Sequence, residues 1–175
     1  DIVYRANSAD IKMVVTSAEG CFAQSCEDAL PECPTVEKLL IVDGQREGWL
    51  DFEALLAQEP DVYPRPQEPL RHDDIMLLYF TSGTTGMPKM VAHNFDYPLG
   101  HIQTAVFWHQ CIDGGLHLTV SETGWAKSVW GKLYGQWLAG SAIMVYDFEK
   151  FVPKDMLAIL EKYNITTFCA PPTIY

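Results

Sequence analysis

The sequence predicts an α/β fold with mainly parallel sheets flanked by helices. Short apolar runs suited to buried strands alternate with stretches that are apolar at every third or fourth residue. The last strand-like, helix-like and strand-like stretches have the spacing of a βαβ unit, which requires parallel pairing and a right-handed crossover. A composition of 48% hydrophobic and 20% charged residues is that of a globular chain. The length, 175 residues, suits one domain.

Taken in order, residues 12–16 read as a short buried strand, followed by a helix with Phe22, Cys26 and Leu30 on one stripe. Pro31 and Pro34 end that helix. Residues 38–43 (KLLIVD) form a second strand, then a glycine turn and a short helix with Phe52, Leu55 and Leu56 inward. Residues 59–74 hold four prolines and little periodicity, so a surface linker is expected between a first segment, 1–58, and a second, 75–175. The run 75–80 is a buried strand, and 90–92 suit a short returning strand. Asn94 is placed to cap a helix over 95–110, with Pro98 in its first turn. Residues 116–120 alternate as a strand. Trp130, Leu133, Tyr134, Trp137 and Leu138 make a full helical stripe, read as core and closed by Gly140 at the C-cap. Strand 142–146, helix 153–163 with Met156, Ile159, Leu160 and Tyr163 inward, and strand 165–170 complete the βαβ unit.

Charge and special residues exclude several functions. The formal net charge is −11; residues 1–75 hold 16 acids and 6 bases, residues 76–175 hold 7 and 6, and neither part has a basic face for nucleic acid. The longest apolar run, 75–80, is far short of the ~20 residues of a membrane span. Five cysteines without a CxxC pair fit free thiols better than a disulfide framework. His93, His101, His109 and His117 recur every eight residues. Eight helical residues span ~12 Å, too far for two ligands of one ion; no metal site is expected, and the period reads as accidental. The opening Asp1-Ile2-Val3-Tyr4-Arg5 has neither an initiator Met nor a signal sequence, and the chain stops just after Pro171-Pro172. The expectation is an internal piece of a longer protein.

The chemistry concentrates in Tyr79-Phe80-Thr81-Ser82-Gly83-Thr84-Thr85-Gly86-Met87-Pro88-Lys89. A strand delivers a run of small and hydroxyl-bearing residues, then a lysine. Gly83 and Gly86 let main-chain N–H groups approach a ligand closely. Thr81, Ser82, Thr84 and Thr85 add hydroxyl donors and Lys89 a positive charge, a donor set suited to phosphate oxygens. A plain Gly/Ser/Thr turn has the same composition. The Walker A pattern fails, because Gly86 comes too early, Pro88 replaces the glycine before the lysine, and Met90 replaces the metal-binding hydroxyl. Pro88 also disfavours a helical Met87, so strand–loop–strand geometry is expected.

This eleven-residue stretch resembles the phosphate-binding signature of the adenylate-forming enzymes: acyl-CoA synthetases, luciferases and peptide-synthetase adenylation domains. Ser121-Glu122-Thr123-Gly124-Trp125 resembles the acid-x-Gly-Trp element of the acetyl- and medium-chain acyl-CoA synthetases. Ala170-Pro171-Pro172-Thr173-Ile174-Tyr175 is similar to the segment ending a core strand near the family's acyl and nucleotide pockets. Cys33-Pro34 through Trp49-Leu50-Asp51-Phe52 is similar to the upstream region of the medium-chain branch. The likeness runs over essentially the whole chain.

The resemblance implies part of the large N-terminal domain of an acetyl-CoA synthetase-like fold, with the C-terminal domain absent. It implies a two-step reaction in which a short- or medium-chain carboxylate attacks the α-phosphorus of ATP and CoA then displaces AMP. Thr81, Ser82, Gly83, Thr84, Thr85, Gly86, Met87, Pro88 and Lys89 would bind ATP, and Lys89 would stabilise charge on the departing pyrophosphate. Trp125 would limit the acyl pocket, with core packing as the alternative. Glu122 could support the site or lie on a solvated turn, His93 could approach the nucleotide, and Lys127 and Lys132 read as surface charges. Mg²⁺ would accompany ATP with its ligand supplied from outside this chain, and CoA would be a co-substrate. The implied partners are a small carboxylic acid, ATP and CoA, and the implied compartment is the cytoplasm or, in a eukaryote, the mitochondrial matrix. The family's later motifs are not in this sequence, so about half an ATP site is expected here. A non-catalytic nucleotide-binding module and an aryl- or amino-acid-activating relative are the other readings.

Overall fold

The computed structural model describes residues 1–81, 86–122, 124–148 and 150–175. Contacts divide the chain into two compact units, Asp1–Leu70 with Leu78–Ala92, and Arg71–Leu77 with His93–Tyr175.

In the first unit, helix α1 (Ile2–Ser8) precedes strand β1 (Met13–Ser17) and helix α2 (Phe22–Ala29), which passes into a 3-10 turn at Leu30–Glu32. Strands β2 (Lys38–Val42) and β3 (Leu50–Asp51) follow, then helix α3 (Phe52–Leu56). The sheet is parallel in the order β1-β2-β3, with Met13 opposite Lys38 and Leu40 opposite Leu50. Its core is Ala23, Ile41 and Trp49, joined by Val14, Cys26 and Leu39. A second cluster, Ala6, Ala29 and Cys33, seats α1 against α2. Asp51 caps α3, its Oδ1 accepting from the Ala54 N–H at 2.9 Å. Glu27 fixes the chain before β3: it accepts from Arg46 Nε at 2.6 Å and Nη2 at 2.7 Å, and from the Trp49 indole at 2.7 Å. Those bonds, Arg46's first, hold its carboxyl down at about 2.

Several inward faces differ from the sequence reading. β1 is an edge strand with Met13 and Val15 exposed, not buried. On α2 the buried residues are Ala23 and Ala29, and Phe22 is exposed. The helix lies close enough to its neighbours that small residues face inward. In α3 Leu55 and Leu56 are exposed. Residues 59–70 hold no helix or strand and are exposed throughout.

Strands β4 (Ile75–Thr81) and β5 (Lys89–Asn94) form a two-stranded hairpin. At one end Thr81 Oγ1 donates to the Lys89 carbonyl, and at the other the Phe95 N–H donates to the His72 carbonyl. That pairing of opposite ends makes it antiparallel. No residue of β4 is buried, and Ile75 is 66% exposed, which corrects the buried strand expected there. A two-stranded ribbon has no sheet neighbours to cover its faces.

The second unit contains helix α4 (Tyr97–Gly100), a π-helical turn (Thr104–Trp108), strand β6 (Leu116–Thr119), and helices α5 (Lys127–Trp130) and α6 (Tyr134–Leu138). Strand β7 (Ala142–Met144), helix α7 (Pro153–Lys162), strand β8 (Thr167–Cys169) and a 3-10 turn (Pro172–Ile174) complete it. The expected helix 95–110 is broken. Pro98 has no N–H to bond the carbonyl of residue 94, so α4 starts at Tyr97 with the proline in its first turn. Asn94 Oδ1 accepts from the Asp96 N–H at 3.1 Å, making a local turn instead of a cap.

Strand β6 is the centre of this sheet, parallel to β7 on one side and β8 on the other. β7 and β8 are therefore not paired with each other, as the βαβ reading required; α7 carries the chain from one edge to the other. His117, Leu118 and Thr119 are buried on β6. On α7 Met156 is buried as expected, while Tyr163 is exposed. The stripe from Trp130 to Leu138 is not a core face. Gly131, Gly135 and Gln136 are buried, whereas Trp137 and Leu138 are exposed. A Cβ on Gly135 would run into the His101 carbonyl and lie 3.0 Å from the Ala105 Cβ, so only glycine permits this approach. Gly140, at φ +76°, ends the segment in the left-handed conformation.

Candidate functional site

In the first unit the candidate phosphate segment connects the end of β4 to the start of β5, and Lys89 opens a strand, not a helix. Ser82, Gly83, Thr84 and Thr85 lie outside the described residues. Thr81 ends β4 and Lys89 opens β5, both exposed, with Thr81 Oγ1 donating to the Lys89 carbonyl at 3.4 Å. Met87 is exposed and Pro88 half-buried. Among the described residues, a Cβ on Gly86 would meet nothing within 4 Å.

Two residues absent from the sequence reading hold the ends of this segment. The Tyr4 hydroxyl donates to the Pro88 carbonyl at 2.8 Å, and the Tyr4 ring stands edge-on to Phe80 with centroids 6.1 Å apart. The Arg5 guanidinium lies 5.0 Å from the same Phe80 centroid and pairs with Asp1 at 3.0 Å. Their signal was an aromatic and a cation side by side on α1, which periodicity reads only as helix surface.

In the second unit Trp125 is 65% exposed and is not packed in the core of the described residues. Its carbonyl accepts from Ser128 Oγ at 2.8 Å and from the Ser128 N–H at 2.9 Å, so its backbone is fixed at the start of α5 while the indole faces outward. Glu122 is exposed. The same unit holds a buried polar cluster. His117 Nδ1 is 2.7 Å from Thr167 Oγ1; His117 Nε2 is 2.7 Å from Thr119 Oγ1 and 3.0 Å from the Gly131 carbonyl. Thr119 Oγ1 donates to the same carbonyl. A carbonyl only accepts, so the cluster is satisfied with the proton on Nε2 and with Nδ1 accepting from Thr167. Thr119 and Gly131 bracket the stretch that carries Trp125, and this cluster ties its two ends together. Burial pushes the His117 pKa down, and the bond to Gly131 opposes it.

In space the four histidines of the eight-residue period fall along one run of ring contacts. His93 lies 4.2 Å from Tyr97, Tyr97 4.5 Å from His101, and His101 6.0 Å from Trp130. Trp130 is 6.2 Å from His109, and His109 5.0 Å from His117. The break at Pro98 and the π-turn fold what would have been a straight helix, so four separated imidazoles join one aromatic column. His109 Nδ1 bonds the Gln136 amide at 2.9 Å, while His101 Nδ1 and Gln136 Oε1 are buried with no hydrogen-bond partner among the described residues. Among the described residues no group of three His, Cys, Asp or Glu side chains is arranged to hold a metal, and no helix is long and apolar enough to cross a membrane.

The AMP-binding enzyme family model matches residues 1–175. The chain is 32% identical over 177 residues to the mitochondrial acyl-coenzyme A synthetase ACSM3 of Pongo abelii, covering all of this chain and 30% of the relative. Human mitochondrial acyl-coenzyme A synthetase ACSM5 is 35% identical over 177 residues, with the same coverage. The chain thus spans about 30% of the length of these relatives. Two solved structures share the fold. The anthranilate CoA ligase AuaEII in complex with anthranoyl-AMP has a TM-score of 0.81 at 22% identity, over 95% of this chain and 32% of that one. Brucella canis acyl-CoA synthetase has 0.78 at 20%, over 99% and 31%. Matched along its whole length, the chain belongs to the AMP-binding enzyme family.

Proposed function

We propose that this chain supplies the phosphate-binding loop of an AMP-forming acyl-CoA synthetase acting on a short- or medium-chain carboxylic acid. The carrying observation is the YFTSGTTGMPK stretch, with Thr81 closing β4 and Lys89 opening β5, in a chain matched throughout by the AMP-binding family. The substrate carboxylate attacks the α-phosphorus of ATP, and pyrophosphate leaves. CoA sulfur then attacks the acyl carbon, and AMP leaves. The substrate brings its own nucleophile, so this segment acts by position and charge: backbone N–H groups and hydroxyls of 81–86 hold the β- and γ-phosphates, and Lys89 offsets charge on the departing pyrophosphate. Mg²⁺ would neutralise charge on the nucleotide; the described residues bring together no carboxylate set to hold it, and no step here runs through it. Trp125, exposed and anchored through its backbone, would limit the depth of the acyl pocket. In a eukaryote the compartment would be the mitochondrial matrix, a reading in line with the mitochondrial relatives; otherwise it would be the cytoplasm.

The test is pyrophosphate release by the full-length protein with ATP and acetate, butyrate, octanoate or benzoate, each with and without CoA. Acid-dependent release with thioester formed in the presence of CoA is expected. A folded protein that binds ATP but stays silent with every acid would favour a non-catalytic nucleotide-binding module.

A further inference from the structure

We propose that Tyr4 is a positioning residue for Lys89, setting the backbone from which the lysine reaches the nucleotide phosphates. The inference rests on the reading of residues 81–89 as the phosphate loop. The Pro88 carbonyl that accepts from the Tyr4 hydroxyl at 2.8 Å shares one peptide plane with the Lys89 N–H. The next peptide plane along is tied from the other side, through the bond from Thr81 Oγ1 to the Lys89 carbonyl. Both planes flanking the Lys89 Cα are therefore held, while the side chain itself stays exposed.

Tyr4 comes from 84 residues away and grips both stems: its ring lies against Phe80, at the end of β4, and its hydroxyl holds Pro88, just before β5. Arg5, paired with Asp1, covers the same Phe80 ring and keeps α1 over the hairpin. Order present before ATP arrives need not be imposed when it binds, so the benefit falls on nucleotide affinity.

The test uses Tyr4→Phe in the full-length protein, which deletes one hydroxyl and keeps the ring on Phe80. The KM for ATP is expected to rise about five- to tenfold, the size of one partly buried hydrogen bond, with the KM for the acid unchanged and the Tm lowered by no more than about 4 °C. In a Lys89→Ala background the same substitution should have little further effect on ATP, because the two act as one unit. Hydrogen exchange at residues 86–90 without nucleotide should quicken in Tyr4→Phe, and saturating ATP should restore protection. An unchanged ATP KM would overturn the proposal. So would acid and ATP KM values that rise together with a larger fall in Tm, or equal effects of Tyr4→Phe with and without Lys89. If Lys89→Ala alone leaves ATP use untouched, the phosphate-loop reading itself fails, and Tyr4's role fails with it.

Discussion

Acid should weaken this protein through His109. The ring is stacked on His117 at 5.0 Å and on Trp130 at 6.2 Å, and its Nδ1 accepts from the Gln136 amide. Burial, then the neighbouring His117 and Lys127, push its pKa down to about 4 from the ordinary 6.5. Because the folded value is the lower one, the unfolded chain takes up the proton first. Stability is complete above about pH 6.5, falls as the pH drops from there toward 4, and levels off below. A gap of roughly 2.5 units corresponds to ~3 kcal/mol at full strength, and partial solvent access to the ring reduces that to about 1–2 kcal/mol. His109→Phe preserves the stack but cannot titrate. It leaves the buried Gln136 amide without its acceptor, a cost of ~1–3 kcal/mol that is the same at every pH. Urea unfolding of both proteins between pH 7.5 and 4.5 separates the two effects. Wild type should lose about 1–2 kcal/mol more than the variant across that range. Parallel curves would refute the assignment of the slope to His109.

Lys89→Ala in the full-length protein should lower kcat/KM for adenylate formation by ~1.5–3 kcal/mol, the worth of a charged hydrogen bond, and pyrophosphate release at the wild-type rate and ATP KM would sink the role given to the lysine. Trp125→Ala should change stability by less than ~0.5 kcal/mol, because the indole is exposed, while shifting preference toward longer acids. A chain-length profile identical to wild type would remove Trp125 from the pocket. In the first sheet Ile41→Ala should cost ~2–5 kcal/mol, since its side chain is fully buried, and Val15→Ala on the edge strand under ~1 kcal/mol. Urea midpoints that fall equally for both would contradict the placement of the core.

The sheets were legible because strand order here follows apolar runs: 38–43 and 116–120 were expected as strands, and both became sheet centres. Element faces were less legible, and the reason is close approach. Where α2 and α6 press against neighbours, Ala23, Ala29, Gly131 and Gly135 turn inward, and the large apolar residues that periodicity selects, Phe22, Trp137 and Leu138, are left outside. A pattern that weights size treats glycine as a break, not as a contact. The site divides the same way. The proposed phosphate stretch stood out because its residue types suggest a chemistry, though its residues 82–85 lie outside the described ones. Tyr4 was not, because its importance lies in a hydrogen bond to a carbonyl 84 positions away, which leaves no trace in local spacing. The histidine period was visible in the sequence, but its meaning required the fold to break at Pro98.

The aromatic column also gives the second unit an optical property. Trp130 sits between two imidazoles, 6.0 Å from His101 at an interplanar angle of 23° and 6.2 Å from His109 at 7°. Imidazolium quenches indole emission far more strongly than neutral imidazole does. Burial lowers the pKa of both flanking histidines, that of His109 to about 4. The fluorescence of Trp130 should therefore stay bright through the pH range in which an exposed histidine would already have dimmed it. With the chain's four other tryptophans replaced, its loss on acidification would record the entry of a proton into the column, without any label added to the chain.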